Sequence, residues 1–216
     1  MYEVTTMNLL IIGATGGTGR ELVEQALSQG HTVTAFVRNP AKVKIEHERL
    51  TVVKGNILEY DSVENAVKGK DAVLSALGHK RWLVKNTILS EGTKSIIQAM
   101  EKHGVKRFVC ETALGIGDSR GKLGLYYTLF VIPFLLYFYF KDKELQERYI
   151  RESNLDWTIV RPGQLTNGRK RGVYRHGPQV GNRFFTVRVS RADVADFMLK
   201  QLTDKSYLLK TSGISY

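Results

Sequence analysis

Cysteine and proline are scarce in this sequence of 216 residues, which contains one cysteine and four prolines. The single cysteine, Cys110, cannot form an internal disulfide, so we expect a reducing compartment, and hence a cytoplasmic protein. The residues before Asn8 carry an acid but no basic cluster, so we expect no signal peptide. Apolar residues make up 43% of the chain, an ordinary share for a globular protein. Length and composition predict one domain over residues 1–216.

Acidic residues are also few, since 21 Asp and Glu oppose 32 Lys and Arg and leave a net charge of +11. The excess is concentrated in residues 141–191, where twelve basic residues face five acidic ones. Such a surface attracts anions. Apart from the run Arg169-Lys170-Arg171, the basic residues are dispersed, so we expect small anionic ligands rather than nucleic acid as partners.

Apolar segments of strand length alternate with helical patterns along the chain, which is typical of a parallel sheet with crossover helices. We therefore predict an α/β fold: a single Rossmann-type doubly wound parallel sheet with a small C-terminal region on the substrate side. Helices are predicted over residues 18–29, 91–103, 142–153 and 190–202, the first ending at Gly30. Strands are predicted over residues 8–13, 31–38, 50–54, 71–76, 107–111, 157–161 and 184–189.

One segment breaks this alternation. From Leu123 to Phe140 the chain has eighteen consecutive uncharged residues between Lys122 and Lys141, which is just long enough for a membrane span. Its position inside the domain, its Pro133 and its aromatic content argue against a span. We expect a buried helix or a lid beside the substrate pocket. Two alternatives stay open for the segment, which are peripheral membrane contact and a homodimer interface. The protein is accordingly expected to be a monomer or a weak homodimer.

The sequence Gly13-Ala-Thr-Gly16-Gly17-Thr-Gly19 follows the first predicted strand and opens the first helix. This context is typical of a loop that binds the pyrophosphate of a dinucleotide through backbone N–H groups. Gly13 allows the tight turn, Gly16 lets the backbone approach the phosphates, and Gly19 lets the helix pack on the sheet. The hydroxyl groups of Thr15 and Thr18 can add contacts. The loop predicts a nicotinamide dinucleotide cofactor.

The end of the second strand indicates which dinucleotide is bound. NAD-selective sites place an acid there to bind the ribose hydroxyls, whereas this strand ends in Arg38. A guanidinium binds a 2′-phosphate well, and Lys42 can assist. We therefore expect NADPH.

Several further motifs join the glycine loop in one resemblance. The segments GATGGTGR, VRNPAK, KGN, ALG, SEGTKSIIQAMEKHGVKRFV, IRESNLDWTIVRPGQLT and SRADVADFML together resemble the atypical short-chain dehydrogenase/reductases with NmrA-like, NAD(P)-binding character. The subgroup that they most resemble contains biliverdin-IX-beta reductase, also called flavin reductase. The resemblance extends from about Asn8 to Leu202.

The resemblance implies a set of cofactor contacts. Residues from Gly13 to Thr18 would bind the phosphates, Arg38 the 2′-phosphate, and Asn56 and Ile57 would border the adenine. Toward the nicotinamide the implied contacts are Leu77, Gly78, Lys80, Thr112, Ala113, Pro162 and Gly163.

Two departures bear on the acceptor. Ala113 stands where the subgroup places a serine, and Gln164 stands where the mammalian member has a histidine. Neither side chain is an acid or base at neutral pH. Flavin reduction does not require a proton donor on the enzyme, because the cofactor supplies the hydride and water can supply the proton. This favours a flavin such as FMN, or a quinone, over a bilin. The arginines Arg183, Arg188 and Arg191 are candidates for binding acidic groups of such an acceptor.

A Tyr-x-x-x-Lys pair, which the broader superfamily uses for proton transfer, occurs as Tyr139 and Lys143 and again as Tyr137 and Lys141. Two overlapping matches show that the pattern is easily met by chance. Thr112 and Lys143 are the candidate catalytic residues, with Thr112 as a hydroxyl partner. His79, His103 and His176 have no metal-ligand spacing between them, so we expect surface or loop positions for these three and no metal site. We expect Cys110 to be a core residue.

Three functions stay open. The first is an NADPH-dependent reductase that passes hydride to a flavin or a similar planar acceptor. The second is a non-catalytic NADP(H) sensor or assembly factor, since NmrA-like relatives include such proteins. The third is an epimerase or ketoreductase that uses Tyr139 and Lys143.

Overall fold

A computed structural model describes residues 6–79 and 83–216 of the chain. Its centre is a sheet in the order β3-β2-β1-β4-β5-β6-β10-β8, parallel except for β8, which runs antiparallel to β10. A second sheet pairs β7 with β9. The strands are β1 Asn8–Ile12, β2 Thr32–Val37, β3 Leu50–Lys54, β4 Ala72–Ser75, β5 Arg107–Glu111, β6 Asp156–Pro162, β7 Gln164–Thr166, β8 Arg175–Gly177, β9 Arg188–Ser190 and β10 Lys210–Ser215. The helices are α1 Gly17–Ser28, α2 Tyr60–Val67, α3 Ile88–Lys102, α4 Tyr137–Glu152 and α5 Arg191–Lys200.

Both faces of this sheet are covered, which explains the nearly continuous apolar run of β1. Successive strand residues point to opposite faces. Leu9 and Ile11 therefore join the core under α1 and α5, while Leu10 and Ile12 join the core under α2 and α3. Parallel sheets with helices on both faces bury their central strands in this way. The predicted doubly wound α/β fold is confirmed.

Two predicted elements differ in the structure, and four others, α2, β7, β8 and β10, were not predicted. The strand expected over residues 184–189 is wrong, because only Arg188–Ser190 forms a strand. The side-chain oxygen of Asn182 accepts hydrogen bonds from the backbone N–H groups of Phe184 and Phe185, which holds those residues in a turn. The strands β7 and β8 have only three residues each, and β10 has Ile214 as its one large apolar residue. The helix α2 places Val63, Ala66 and Val67 at helical spacing, but it is only eight residues long.

The expectation of a buried helix from Leu123 to Phe140 is also wrong. A π-helical segment, Tyr127–Leu136, leads directly into α4, and none of its ten residues is buried. Within the described part of the chain, no helix is both long enough and apolar enough to cross a membrane.

Candidate functional site

The glycine loop lies at the carboxyl edge of the sheet, between β1 and α1. Here the sheet order reverses, since β1 lies between β2 and β4, and such a switch point is where ligands bind in open α/β sheets. Gly13 adopts a φ of +81°, and its carbonyl accepts a hydrogen bond of 2.8 Å from the N–H of Gly16. A Cβ on Gly13 would collide with the carbonyl oxygen of Ala76, and one on Gly19 would collide with Gly13. The turn therefore requires glycine at both positions.

The loop suits a diphosphate. Gly16 occupies the N-cap of α1 and has no side chain to accept the free N–H groups of the first turn. These donors and the positive end of the helix dipole face the position of the predicted phosphates. Arg191 adds a positive charge, because its side chain lies over Gly17 and donates a 2.6 Å hydrogen bond to Asn167. The donor set at this loop therefore fits a dinucleotide.

Glu111 is a site residue that the sequence reasoning missed. It ends β5, its carboxyl group is buried, and it accepts a 3.2 Å hydrogen bond from the hydroxyl of Thr18. Burial raises the pKa of Glu111, while the charge of Lys143, the Thr18 hydrogen bond and the charge of Arg191 act in the opposite direction. An acid at the end of an otherwise apolar strand was the signal available in the sequence. Thr18 is thus engaged with a carboxylate.

The predicted adenosine contacts lie beyond the neighbouring strands. Arg38 directly follows β2 and is exposed, and Lys42 is exposed in the 3₁₀ turn Pro40–Lys42, so both can reach a ligand in solution. Asn56 bonds to Glu59 and caps the following turn. Ile57 is buried and would contact a Cβ on Gly92 of α3, so its side chain supports that helix.

The structure brings Tyr139 to the predicted nicotinamide side. Its hydroxyl lies 3.6 Å from the place where a Cβ on Gly78 would stand, just beyond β4. The ammonium of Lys143 is 5.3 Å from the centroid of the Tyr139 ring, and it donates a 3.4 Å hydrogen bond to the carbonyl of Glu111. The ring of His79, a residue expected only as a loop histidine, packs edge-to-face on Tyr139 at 5.0 Å. Lys80, also implied by the resemblance, lies outside the described residues.

Two hydrogen-bonded contacts fix α4 in this position. Asp142 accepts hydrogen bonds from the N–H groups of Leu89 and Ser90, and also from the Ser90 hydroxyl. It therefore caps α3 from a distant part of the chain, beside Asn86, which accepts from the N–H of Ile88. Gln146, one turn later, donates to the hydroxyl of Thr93 at 2.9 Å. Because Lys143 directly follows Asp142, the cap on α3 also fixes the position of that lysine.

Thr112, the second candidate catalytic residue, belongs to a buried ionic network. Its hydroxyl donates a 2.7 Å hydrogen bond to Glu147 of α4. Glu147 forms a bidentate pair with Arg161, at 2.8 and 2.6 Å, and both side chains are at most 5% exposed. Asp118 contacts the same guanidinium at 2.6 Å. The hydroxyl proton of Thr112 is therefore directed at Glu147, so Thr112 holds α4 against the sheet.

The remaining predicted contacts follow β5 and β6. Ala113 is half-buried, and Pro162 is the last residue of β6 rather than the residue that stops it. A Cβ on Gly163 would lie 2.6 Å from the carbonyl oxygen of Val187, so packing against that backbone explains this glycine. Gln164 begins β7.

The cysteine and the other histidines are placed away from this chemistry. Burial raises the pKa of Cys110 to about 12, so its thiol is a core group. His103 bonds to Glu64 at 2.9 Å and His176 to Tyr207 at 2.7 Å. Among the described residues, no group of three or more His, Cys, Asp or Glu side chains could bind a metal.

Curated relatives share much of the sequence. An uncharacterised chloroplastic protein of Arabidopsis thaliana is 31% identical, covering 98% of this chain and 77% of that protein. The photosystem II assembly factor Ycf39 of Synechocystis is 30% identical over 75% of this chain and 46% of its own length.

Solved structures share the fold. The anaerobilin reductase ChuY from Escherichia coli has a TM-score of 0.79 at 23% identity, covering 96% of each chain. A short-chain dehydrogenase/reductase from Veillonella parvula in complex with NADP has a TM-score of 0.78 at 22% identity, covering 97% of this chain and 94% of that one.

Residues 13–205 match the family described as NAD(P)H-binding. This range begins at the first glycine of the loop and ends beyond α5, so it includes all five helices and six of the eight strands of the central sheet, leaving out β1 and β10. The prediction of a nicotinamide dinucleotide cofactor is confirmed. The chain belongs to the NAD(P)H-binding family of Rossmann proteins.

Proposed function

We propose that this protein is an NADPH-dependent reductase that passes hydride to a planar conjugated acceptor, with a flavin such as FMN as the test case. The observation that carries the proposal is the convergence of the glycine loop, Gly78 and the Tyr139–Lys143 pair at one edge of the sheet. The likeness to a structure named an anaerobilin reductase supports a conjugated acceptor.

In this proposal, different residues of the chain bind the cofactor and contact the acceptor. The N–H groups at the start of α1 bind the diphosphate, and Arg38 binds the 2′-phosphate. When bound, NADPH supplies the hydride. Tyr139 places an O–H group beside Gly78, where the acceptor would meet the cofactor. Its ring offers an aromatic face on which a planar molecule can stack.

A second candidate, a ketoreductase or epimerase, is favoured by one observation. Lys143 is only 3% exposed, and its ammonium lies beside the Tyr139 ring. A positive charge held there stabilises negative charge that develops as Tyr139 gives up its proton. In this second candidate Tyr139 would be the proton donor that Ala113 and Gln164 cannot be. Reduction of a carbonyl requires such a donor, whereas reduction of a flavin does not.

NADPH oxidation in the presence of FMN, and separately of a panel of ketones, tests both candidates. We expect Tyr139→Phe to change FMN reduction by less than about threefold, because water can supply the proton. If a ketone is the substrate, the same variant should lower kcat about 100-fold, the usual effect of a lost general acid.

Tyr137→Phe is the matched control, since Tyr137 belongs to the overlapping motif but is half exposed to solvent. It should leave both activities unchanged. Tight NADPH binding without turnover of any acceptor would refute the reductase and favour the sensor or assembly factor, a role carried by the photosystem II relative.

A further inference from the structure

The helical segment from Leu125 to Phe138 carries an apolar stripe on its solvent side. Exposed apolar residues recur in pairs whose first members are four, five and three positions apart, so each pair follows the last by about one helical turn and the pairs lie on one side. The opposite side packs on a small core around Leu114 and Phe140. The stripe consists of Leu125, Tyr126, Leu129, Phe130, Phe134, Leu135, Tyr137 and Phe138, with Phe134 74% exposed.

A neighbouring turn extends the stripe. The N–H of Leu125 donates to the carbonyl of Phe184, and Leu123 forms a β-bridge with Asn182. Asn182 in turn holds the backbone of Phe184 and Phe185, whose side chains are 70% and 75% exposed. Contiguous exposed apolar surface of this kind marks an interaction site.

The surroundings of the stripe are basic. Lys122 precedes it, Lys141 follows it, and Arg183 stands directly before Phe184 at the tip of the turn. Of the first two acids on α4, Asp142 is buried against the start of α3, and Glu144 is paired with Arg120 at 2.6 Å and Lys141 at 3.5 Å. From Trp157 to Ala192 the chain has eight Lys or Arg residues and no acid.

We propose that this stripe docks the protein onto a lipid surface rich in anionic headgroups. Exposed aromatic and aliphatic side chains with a basic rim are the features by which peripheral proteins lie in the membrane interface. Tyrosine suits that interface, because its ring is apolar and its hydroxyl is polar. A second copy of the chain fits less well, since a symmetric contact would bring two basic rims together. The proposal is independent of the acceptor.

Sedimentation with vesicles of phosphatidylcholine containing about one third phosphatidylglycerol tests the proposal. The wild type should bind these anionic vesicles. Its binding to vesicles of pure phosphatidylcholine, and its binding to the anionic vesicles in high salt, should each be at least fivefold weaker, because charge contributes to the attraction. Phe134→Asp should weaken vesicle binding at least fivefold. Leu58→Asp is the matched control, because Leu58 is an exposed apolar residue that follows β3 at the far edge of the sheet.

A second variant tests the basic rim. Lys122→Gln combined with Arg183→Gln should reduce binding to the anionic vesicles and leave the weak binding to phosphatidylcholine as it is. Every variant should bind NADPH as the wild type does, which shows that it is folded. Equal vesicle binding by Phe134→Asp and wild type would overturn the proposal, as would no vesicle binding at all. A dimer in analytical ultracentrifugation that Phe134→Asp converts to a monomer would also overturn it, in favour of a second copy.

Discussion

Replacing Arg38 by alanine tests the assignment of NADPH over NADH. Arg38 directly follows β2 and is exposed, with its neighbour Lys42 in the adjoining 3₁₀ turn. The substitution removes a guanidinium that makes no hydrogen bond or ion pair with any other residue that the structure describes. We therefore expect the folded state to be unaffected and the change to appear in cofactor affinity alone.

The magnitude follows from the exposure of this side chain. A hydrogen bond to a charged group contributes about 1.5–3 kcal/mol, and an exposed site belongs in the lower half of that range. A loss of about 1.5–2 kcal/mol corresponds to a roughly 10- to 30-fold higher Kd. Because NADH has no 2′-phosphate, its Kd should change by less than about twofold. Higher ionic strength should reduce the difference between the Kd values for NADPH and NADH, since the contact between Arg38 and the 2′-phosphate is open to solvent.

Fluorescence titration of both reduced cofactors measures the two constants. Lys106→Ala is the control, because Lys106 is exposed before β5, at the opposite edge of the sheet from the glycine loop. If Arg38→Ala weakened NADPH and NADH equally, the 2′-phosphate assignment would be refuted. If Lys106→Ala had the same effect, the general positive charge rather than Arg38 would be responsible.

Three further experiments test the architecture of the site. Glu147→Ala leaves the buried Arg161 with only Asp118 as a partner, so urea unfolding should show a loss of about 3 kcal/mol. Glu147→Gln, which keeps one acceptor, should lose less, and equal losses would contradict the ionic explanation. Asp142→Ala should cost about 2 kcal/mol, because it removes the cap of α3, whereas Asp142→Asn should retain most of the stability. A weaker effect of the alanine than of the asparagine would refute the capping role. Cys110, whose pKa burial raises to about 12, should resist iodoacetamide at neutral pH, where the thiolate is almost absent, and should react once urea unfolds the chain. Rapid labelling of the folded protein, followed by mass spectrometry, would contradict its burial.

The local features of the site were predictable because each depends on a short stretch of chain. An apolar strand followed by glycines at fixed spacing predicts a phosphate-binding turn, and Gly13 and Gly19 are confirmed as positions that admit no Cβ. Arg38 was predicted to bind the 2′-phosphate from its place at the end of a strand, and this stays a prediction. The contribution of Glu111 was missed, because its importance depends on Thr18, which lies 93 residues earlier in the sequence.

The aromatic segment shows the limit of this reasoning most clearly. A run of eighteen uncharged residues has the same sequence pattern whether it is covered by protein, covered by lipid or exposed to solvent. Burial is a property of the neighbours rather than of the segment, and here the chain covers only one side of the helix. The expected buried helix was wrong for that reason.

The sequence by itself determined the alternating strands and helices, the glycine loop and the cofactor family, because periodicity and glycine spacing act over a few residues. Only the tertiary structure decided that Tyr139 and Lys143, rather than Tyr137 and Lys141, lie at the ends of β4 and β5. The overlapping motifs are equivalent in sequence. The cap that Asp142 places on α3 fixes the rotation of α4, and that rotation turns one pair toward the sheet and leaves the other in solvent.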